Sequence, residues 1–204
     1  GRRRVIPNPV LQPALPNHDN GARDPKAGHI LIGMGRLVED KGFPLLLSAF
    51  SKVACNHPSW SLQIWGEGPQ RQILEQLTRD WDLGGRVWLP GFTRRPFEAL
   101  RRADLFALSS IIEGFPNALC EAMACGLPVV SFDCSSGIRE IVRDGVDGML
   151  VRAADPTALA ASLDRLMADE GERRRLADRA VEVTERFGLD KTMARWEQLL
   201  LDSV

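Results

Sequence analysis

From residue 29 to residue 151, short apolar runs alternate with segments of helical spacing, and that alternation limits the possible folds more than any other feature. "HILIGMG", "SLQIWGEG", "RVWLPG", "DLFALSS", "LPVVSF" and "GMLV" read as strands, several of them stopped by glycine. Between them lie "PLLLSAFSKVACN", "PQRQILEQLTRDWDL", "RPFEALRRA", the run after Pro116 and "GIREIVRDG", all with helical character. Pro69 and Pro116 suit the first position of a helix, and Ile73, Leu74 and Leu77 mark the apolar side of the second one. Three further helices are expected over residues 156–169, 171–186 and 189–201. Strands this short and apolar need cover on both faces, which implies parallel pairing with helical crossovers. Right-handed crossovers then predict an α/β fold: a Rossmann-like, doubly wound parallel sheet of about six strands.

Composition narrows the function. The 26 basic and 27 acidic side chains leave a formal charge of −1, so no global field calls for nucleic acid. No apolar run approaches the length of a transmembrane helix, and no secretory leader is visible. Cys55, Cys120, Cys125 and Cys134 lack a metal-ligand spacing and read as reduced, mostly buried thiols, which suits a cytoplasmic setting. Residues 1–28 carry prolines at 7, 9, 13, 16 and 25 and read as a linker or extended arm.

Chemistry in a doubly wound sheet gathers at the carboxyl ends of the strands. The first strand runs into "GMGRLVEDKG", where Gly33 and Gly35 permit close backbone approach and Arg36 and Lys41 supply cations. The second ends at Gly66 in "GEGP", and the third at Gly91 and Phe92 in "LPGF". The fourth runs into "SSIIEGFPNALCE", with Glu113 before a helix start and Glu121 about one turn inside it. Free N–H groups near Asn117, Ala118 and Leu119 make that start an anion site. Two carboxylates beside it would repel a bare phosphate. They suit an anion with hydroxyl-bearing groups at both ends, a ribose for one carboxylate and a sugar for the other. Arg36 and Lys41 would neutralise the phosphates between.

These elements resemble the nucleotide-sugar half of a family-4 glycosyltransferase of the GT-B fold. The resemblance rests on "GMGRLVEDKG", "GEGP", "LPGF", "EGFPNALCE", "ACGLPVVSFDCSSG" and "GVDGMLV" in that order, with "VIPNPV" similar to an interdomain connector. It implies that Arg36 and Lys41 hold the donor diphosphate and that Glu113 faces the donor sugar. It also implies that backbone amides of Gly114, Phe115, Pro116, Asn117, Ala118 and Leu119, where present, line the diphosphate or sugar. Glu121 would take the ribose hydroxyls, and Gly91–Phe92 the base. The implied reaction is retaining transfer of a hexose or N-acetylhexosamine from a nucleotide diphosphate sugar, UDP favoured, with no metal and no other cofactor. The acceptor would be a glycan or lipid-linked glycan held by an amino-terminal domain, at the inner face of a membrane with peripheral contact. Residues 29–187 would form the donor domain and 188–204 a terminal helix returning to the other domain. Met193, Trp196, Leu199 and Leu200 are then expected to be partly uncovered, and the chain alone to bind donor without transferring it. The segment "DCSSGIRE" departs from the paired glycines of many members.

Other motifs carry less. "DWD" at 80–82 falls near a helix end, where a metal pair is not expected. His18, His29 and His57 share no pattern. Trp65 and Trp88 fall in strands and read as core. Arg2–Arg4 read as a solvated linker and Arg173–Arg175 as a solvated helix face, with anionic lipid as the alternative. A dinucleotide oxidoreductase needs a G-x-G-x-x-G turn and an acid after the second strand, and "GMGRLV" and "QIWG" fail both. A nucleotide-sugar epimerase of the same architecture, or a pure binding module, remain the competing readings.

Overall fold

The structure, a computed structural model, describes residues 6–13 and 28–202. Arg2–Arg4, His18 and the middle of the proline-rich arm lie outside the described residues. In chain order come β1 (His29–Met34), α1 (Phe43–Val53), β2 (Trp60–Trp65), α2 (Arg71–Asp80), β3 (Val87–Gly91) and α3 (Pro96–Leu100). The second half continues through β4 (Leu105–Leu108), α4 (Asn117–Ala124), β5 (Val129–Asp133), α5 (Ser136–Ile141) and β6 (Met149–Arg152). Four helices follow: α6 (Pro156–Ala168), α7 (Glu170–Ala180), α8 (Val183–Arg186) and α9 (Leu189–Leu201). The six strands form one parallel sheet in the order β3-β2-β1-β4-β5-β6. The chain winds outward from β1 to β3, crosses back, and winds outward again from β4. The expected doubly wound fold is what the sheet shows, with its switch point between β1 and β4.

Alternating side chains build two cores. Leu31, Leu62 and Ile64 face Phe50 of α1, Leu74 of α2 and Leu163 of α6. Ile32, Phe106 and Val129 face Leu119 and Met123 of α4 and Val183 of α8. Helix α7 carries the chain between the two, with Leu176 in the first core and Ala180 in the second. Helix α4 stops in a Schellman turn: Gly126 at φ +74 donates to the Met123 carbonyl, and Leu127 to Ala122. Pro128 follows, immediately before β5.

Several expectations change. Pro69 lies in the turn before α2, and Pro116 is the extended N-cap of α4, because both helices start one or two residues later than the proline rule suggests. Ile73 is half exposed, while Leu74 and Thr78 carry the buried side of α2. The helix expected over 156–169 ends at Ala168, since the Asp169 carboxylate caps α7 by accepting from the Glu172 N–H. The helix expected over 171–186 breaks at residues 181–182 into α7 and α8.

The tryptophans sort differently too. Trp60 is buried, whereas Trp88 is 53% exposed on the edge strand and Trp65 is half-buried. Trp65 and Trp88 point to the side of β2 and β3 that α1 and α2 leave open. Arg173 is no solvated side chain: it is buried, donates to the Leu166 and Met167 carbonyls, and lies 5.1 Å over the Trp60 ring. Arg174 and Arg175 remain exposed beside it. On α9, Met193, Trp196 and Leu200 are exposed and Leu199 is partly so, as expected for an uncovered face.

The sequence gives no hint of the ion network that fastens α8. Asp147 is fully buried and accepts from the Arg143 N–H at 2.7 Å, Arg143 Nε at 2.6 Å and Arg186 Nη2 at 3.0 Å. Arg143 also reaches Glu182, and Arg186 also caps the Ile141 carbonyl. Burial pulls the Arg186 guanidinium below its usual pKa, and the Asp147 charge opposes that. Asp147→Ala should leave both guanidinium groups without their shared counter-charge and cost about 3–5 kcal/mol, read as a lower urea midpoint. Arg174→Ala, on an exposed pair with Glu170, should change stability by no more than about 0.5 kcal/mol.

Candidate functional site

The loops after β1 and β4 meet at the switch point. After Arg36 the chain makes a 3-10 turn, Glu39–Lys41, and reverses at Gly42 with φ +58. A Cβ at Gly42 would stand 2.1 Å from the Ser109 carbonyl oxygen, so only glycine permits this approach. Two hydrogen bonds then staple the loops: Ile111 N–H to the Asp40 carbonyl at 2.8 Å, and Ser109 Oγ to the Lys41 carbonyl at 2.9 Å. Lys41 Nζ is thereby brought into direct contact with Glu113 Oε1. Ser110, itself buried, donates its hydroxyl to the same oxygen at 2.7 Å. The Glu113 side chain is 8% exposed and that of Lys41 is 23% exposed, so the pair is largely withdrawn from solvent.

Helix α4 begins just beyond. The Pro116 carbonyl accepts from Leu119 and Cys120, and no side chain caps the helix. Of the three N–H groups expected to be open, Leu119 is therefore taken, and those of Asn117 and Ala118 have no partner among the described residues. Gly114 is exposed, Phe115 half-buried and Pro116 buried. Phe115 stacks edge-on against Phe187 at 5.9 Å, which fixes the loop carrying Glu113.

Arg36 is exposed and has no ionic partner among the described residues. It lines a cavity of about 300 Å³ with Gly35, Trp65, Gly66, Glu67 and Phe92. Gly66 sits at φ +144, where a Cβ would fall 1.8 Å from the Gly35 carbonyl, so the loops after β1 and β2 also touch only through glycine. Gly33 is confined by Leu46 and Phe43, while Gly35 has room for a Cβ and is not sterically required. Gly91, at φ +95, accepts from the Gly66 N–H and turns the 73% exposed Phe92 outward.

Glu121 lies about one turn into α4. It lines a cavity of about 220 Å³ with Asn8, Val10, Phe115 and Asn117. Burial raises its carboxyl pKa above the usual value, with no opposing charge or hydrogen bond among the causes. Residues of the arm thus form part of the wall: Asn8 Nδ2 donates to Asn117 Oδ1 at 3.1 Å, and Val10 is buried with its N–H on the Phe187 carbonyl. Nearby thiols are inert. Burial pushes Cys120 up to about 12 and Cys125 to about 11, and Cys134 is raised by burial and by the Glu113 charge. His29 pairs with Asp104 and His57 with Asp164, both away from these loops. Asp80 and Asp82 belong to no metal-holding group among the described residues.

The structure thus joins Lys41 to Glu113 directly and sets Arg36 and Glu121 in two further cavities. Sequence reasoning missed Gly42, Ser110 and Asn8. Two serines closing the wholly apolar β4 were the available signal for Ser110.

A doubly wound sheet with a cation–carboxylate pair and an open helix start at its switch point defines an α/β protein equipped to hold an anion. The chain belongs to the glycosyl transferases group 1 family, whose model matches residues 17–183. It is 36% identical over its full length to 21% of an exopolysaccharide phosphotransferase of Streptomyces coelicolor. It is also 36% identical, over 78% of the chain, to 45% of the lipopolysaccharide core biosynthesis glycosyltransferase LpsE of Rhizobium meliloti. The chain therefore spans less than half the length of each of these relatives. Among solved structures it resembles TarM of S. aureus, crystallised with fondaparinux, alpha-GlcNAc-glycerol and UDP. The TM-score is 0.87 at 24% identity, over 96% of this chain and 39% of that one, a likeness of fold. No helix among the described residues is long and apolar enough to cross a membrane.

Glu121 supplies a pH test of the site. Its folded pKa lies above the unfolded value, so ionisation costs stability as pH rises from about 4.5 through the raised value. Glu121→Gln should match the parent in urea unfolding at acid pH and exceed it at neutral pH. Equal stability at both would place Glu121 in open solvent.

Proposed function

We propose that this chain is the donor-binding half of a retaining glycosyltransferase. The proposed reaction moves a hexose or N-acetylhexosamine from a UDP sugar to a glycan or lipid-linked acceptor. The observation that carries this reading is the Lys41–Glu113 contact, set at the switch point beside the open start of α4. The UDP bound by TarM and the lipopolysaccharide role in the name of LpsE support the choice of donor and acceptor class.

Each side chain has a task in that reaction. As the glycosidic bond breaks, negative charge builds on the departing diphosphate. Lys41, Arg36 and the N–H groups of Asn117 and Ala118 offset it, and with the helix dipole they do the work a metal ion does elsewhere. Lys41 neutralises Glu113 through their direct contact. When the diphosphate arrives, Lys41 turns to it and Glu113 accepts from the sugar hydroxyls, still held by Ser110. Glu121 accepts from the ribose, and its buried setting favours a ligand that brings hydroxyl donors. The cavity between Arg36 and Phe92 receives the base.

Residues 1–28 then serve as the connector to an acceptor-binding domain, and the uncovered face of α9 returns to it. The proposed setting is the cytoplasmic face of a membrane. Transfer needs the anomeric carbon and acceptor hydroxyl in near-attack geometry, which one domain does not provide.

UDP should bind the chain equally well with and without EDTA in calorimetry. Arg36→Ala or Lys41→Ala should each weaken binding by about 1.5–3 kcal/mol. Glu121→Ala should cost less, and should discriminate against UDP more than against its 2′-deoxy analogue. Abolition of binding by EDTA would refute the metal-free mechanism. With a lipid-linked acceptor, transfer should require the full-length protein and Glu113, and robust transfer by this chain alone would overturn the two-domain reading.

A further inference from the structure

Outside the loops just described, a polar hollow lies on the open face of the sheet. Helices α3 and α4 cover β1 and β4 on that side, and β2 and β3 have no such cover. Gln63 and Trp65 of β2 and Trp88 of β3 line this uncovered side, where the pleat places alternate residues. The short α3 and the residues that flank it stand beside them as a wall, presenting Glu98 from the helix and Arg95 and Arg102 from its two ends. The resulting groove holds about 420 Å³, within the range of small-ligand sites.

Its chemistry is specific in three respects. Trp88 is 53% exposed, although a tryptophan on an edge strand has ample opportunity to be covered. The Trp65 Nε1–H donates to Gln63 Oε1 at 3.0 Å, which fixes both side chains and leaves the Gln63 amide nitrogen without a partner among the described residues. Arg102 is exposed with no ion pair among the described residues, and Arg95 holds Glu98 only in an exposed pair at 3.2 Å. Two indole surfaces, an amide donor and two guanidinium forks therefore converge, and Glu98 is the single acid.

We propose that this groove binds an anionic oligosaccharide, separately from the donor site. The C–H face of a pyranose ring suits an exposed indole, and Arg102 and Arg95 suit its carboxylate or phosphate substituents. Gln63 donates to a ring hydroxyl. Trp65 also lines the cavity beside Arg36, so Trp88 and Arg102 are the residues that isolate the groove.

The test titrates the purified chain with hexagalacturonate and with neutral maltohexaose, each with and without saturating UDP. Hexagalacturonate should bind, more tightly than maltohexaose, and with undiminished affinity when UDP is present. Trp88→Ala and Arg102→Gln should each weaken it about tenfold, with circular-dichroism melts unchanged because both side chains are exposed. Sedimentation with phosphatidylcholine vesicles containing phosphatidylglycerol forms a parallel arm. Binding to vesicles without binding to hexagalacturonate would make the patch a membrane contact and overturn the proposal. Competition by UDP, equal affinity for the two sugars, indifference to both substitutions, or no heat at millimolar hexagalacturonate would overturn it as well. UDP affinity is read in the same titrations, so failure of the donor-site reading is seen separately.

Discussion

The left-handed turn at Gly42 lets the β1 loop touch the β4 loop, and the arrangement of the site depends on that contact. With any side chain there, the Ser109 carbonyl would be struck, and the bonds from Ile111 to Asp40 and from Ser109 to Lys41 could not both form. Lys41 and Glu113 stand 72 residues apart in sequence and would separate with the loops. Their contact has the strength of a charge-assisted hydrogen bond only because both are largely shielded from water.

The carboxylates differ in consequence. Glu113 is neutralised by a cation and a hydroxyl, whereas Glu121 faces a small cavity with neither. A site with one compensated and one uncompensated acid is held ready on the first side and stores an unfavourable burial on the second. That burial is relieved by a ligand carrying hydroxyl donors. The arm contributes here, since Asn8 and Val10 close the Glu121 cavity and tie it to α8 through Phe187. Movement of the arm would therefore be felt at the site.

Stability and site share parts. The Asp147 network fastens α8, and the Phe187 that follows α8 packs on Phe115 in the loop between the two glutamates. A buried ion cluster of this kind adds little net energy compared with apolar packing, but it fixes one geometry.

The strands, the helices and the residues at the strand ends were legible in the chain because they depend on local rules: period, glycine stops, proline and capping. The spacing of Glu113 and Glu121 around a helix start, and the pairing of Arg36 with Lys41 on one loop, were equally visible. The doubly wound parallel sheet was implied by crossover handedness and the run of alternating elements, whereas its strand order was decided by the packing. What the tertiary structure alone decided were contacts between segments far apart in sequence. Arg173 looked like one member of a charged run, yet it caps α6 over Trp60 because α7 crosses from one core to the other. Trp88 looked like core and is exposed because the edge strand lacks a helix on that side. Asp147 in "GVDG" could pass for a turn residue until two arginines, one of them 39 residues away, converge on it. Local periodicity determines which residues turn inward on their own element. It carries no information about which neighbour covers them, and that is settled only by the packing of the whole chain.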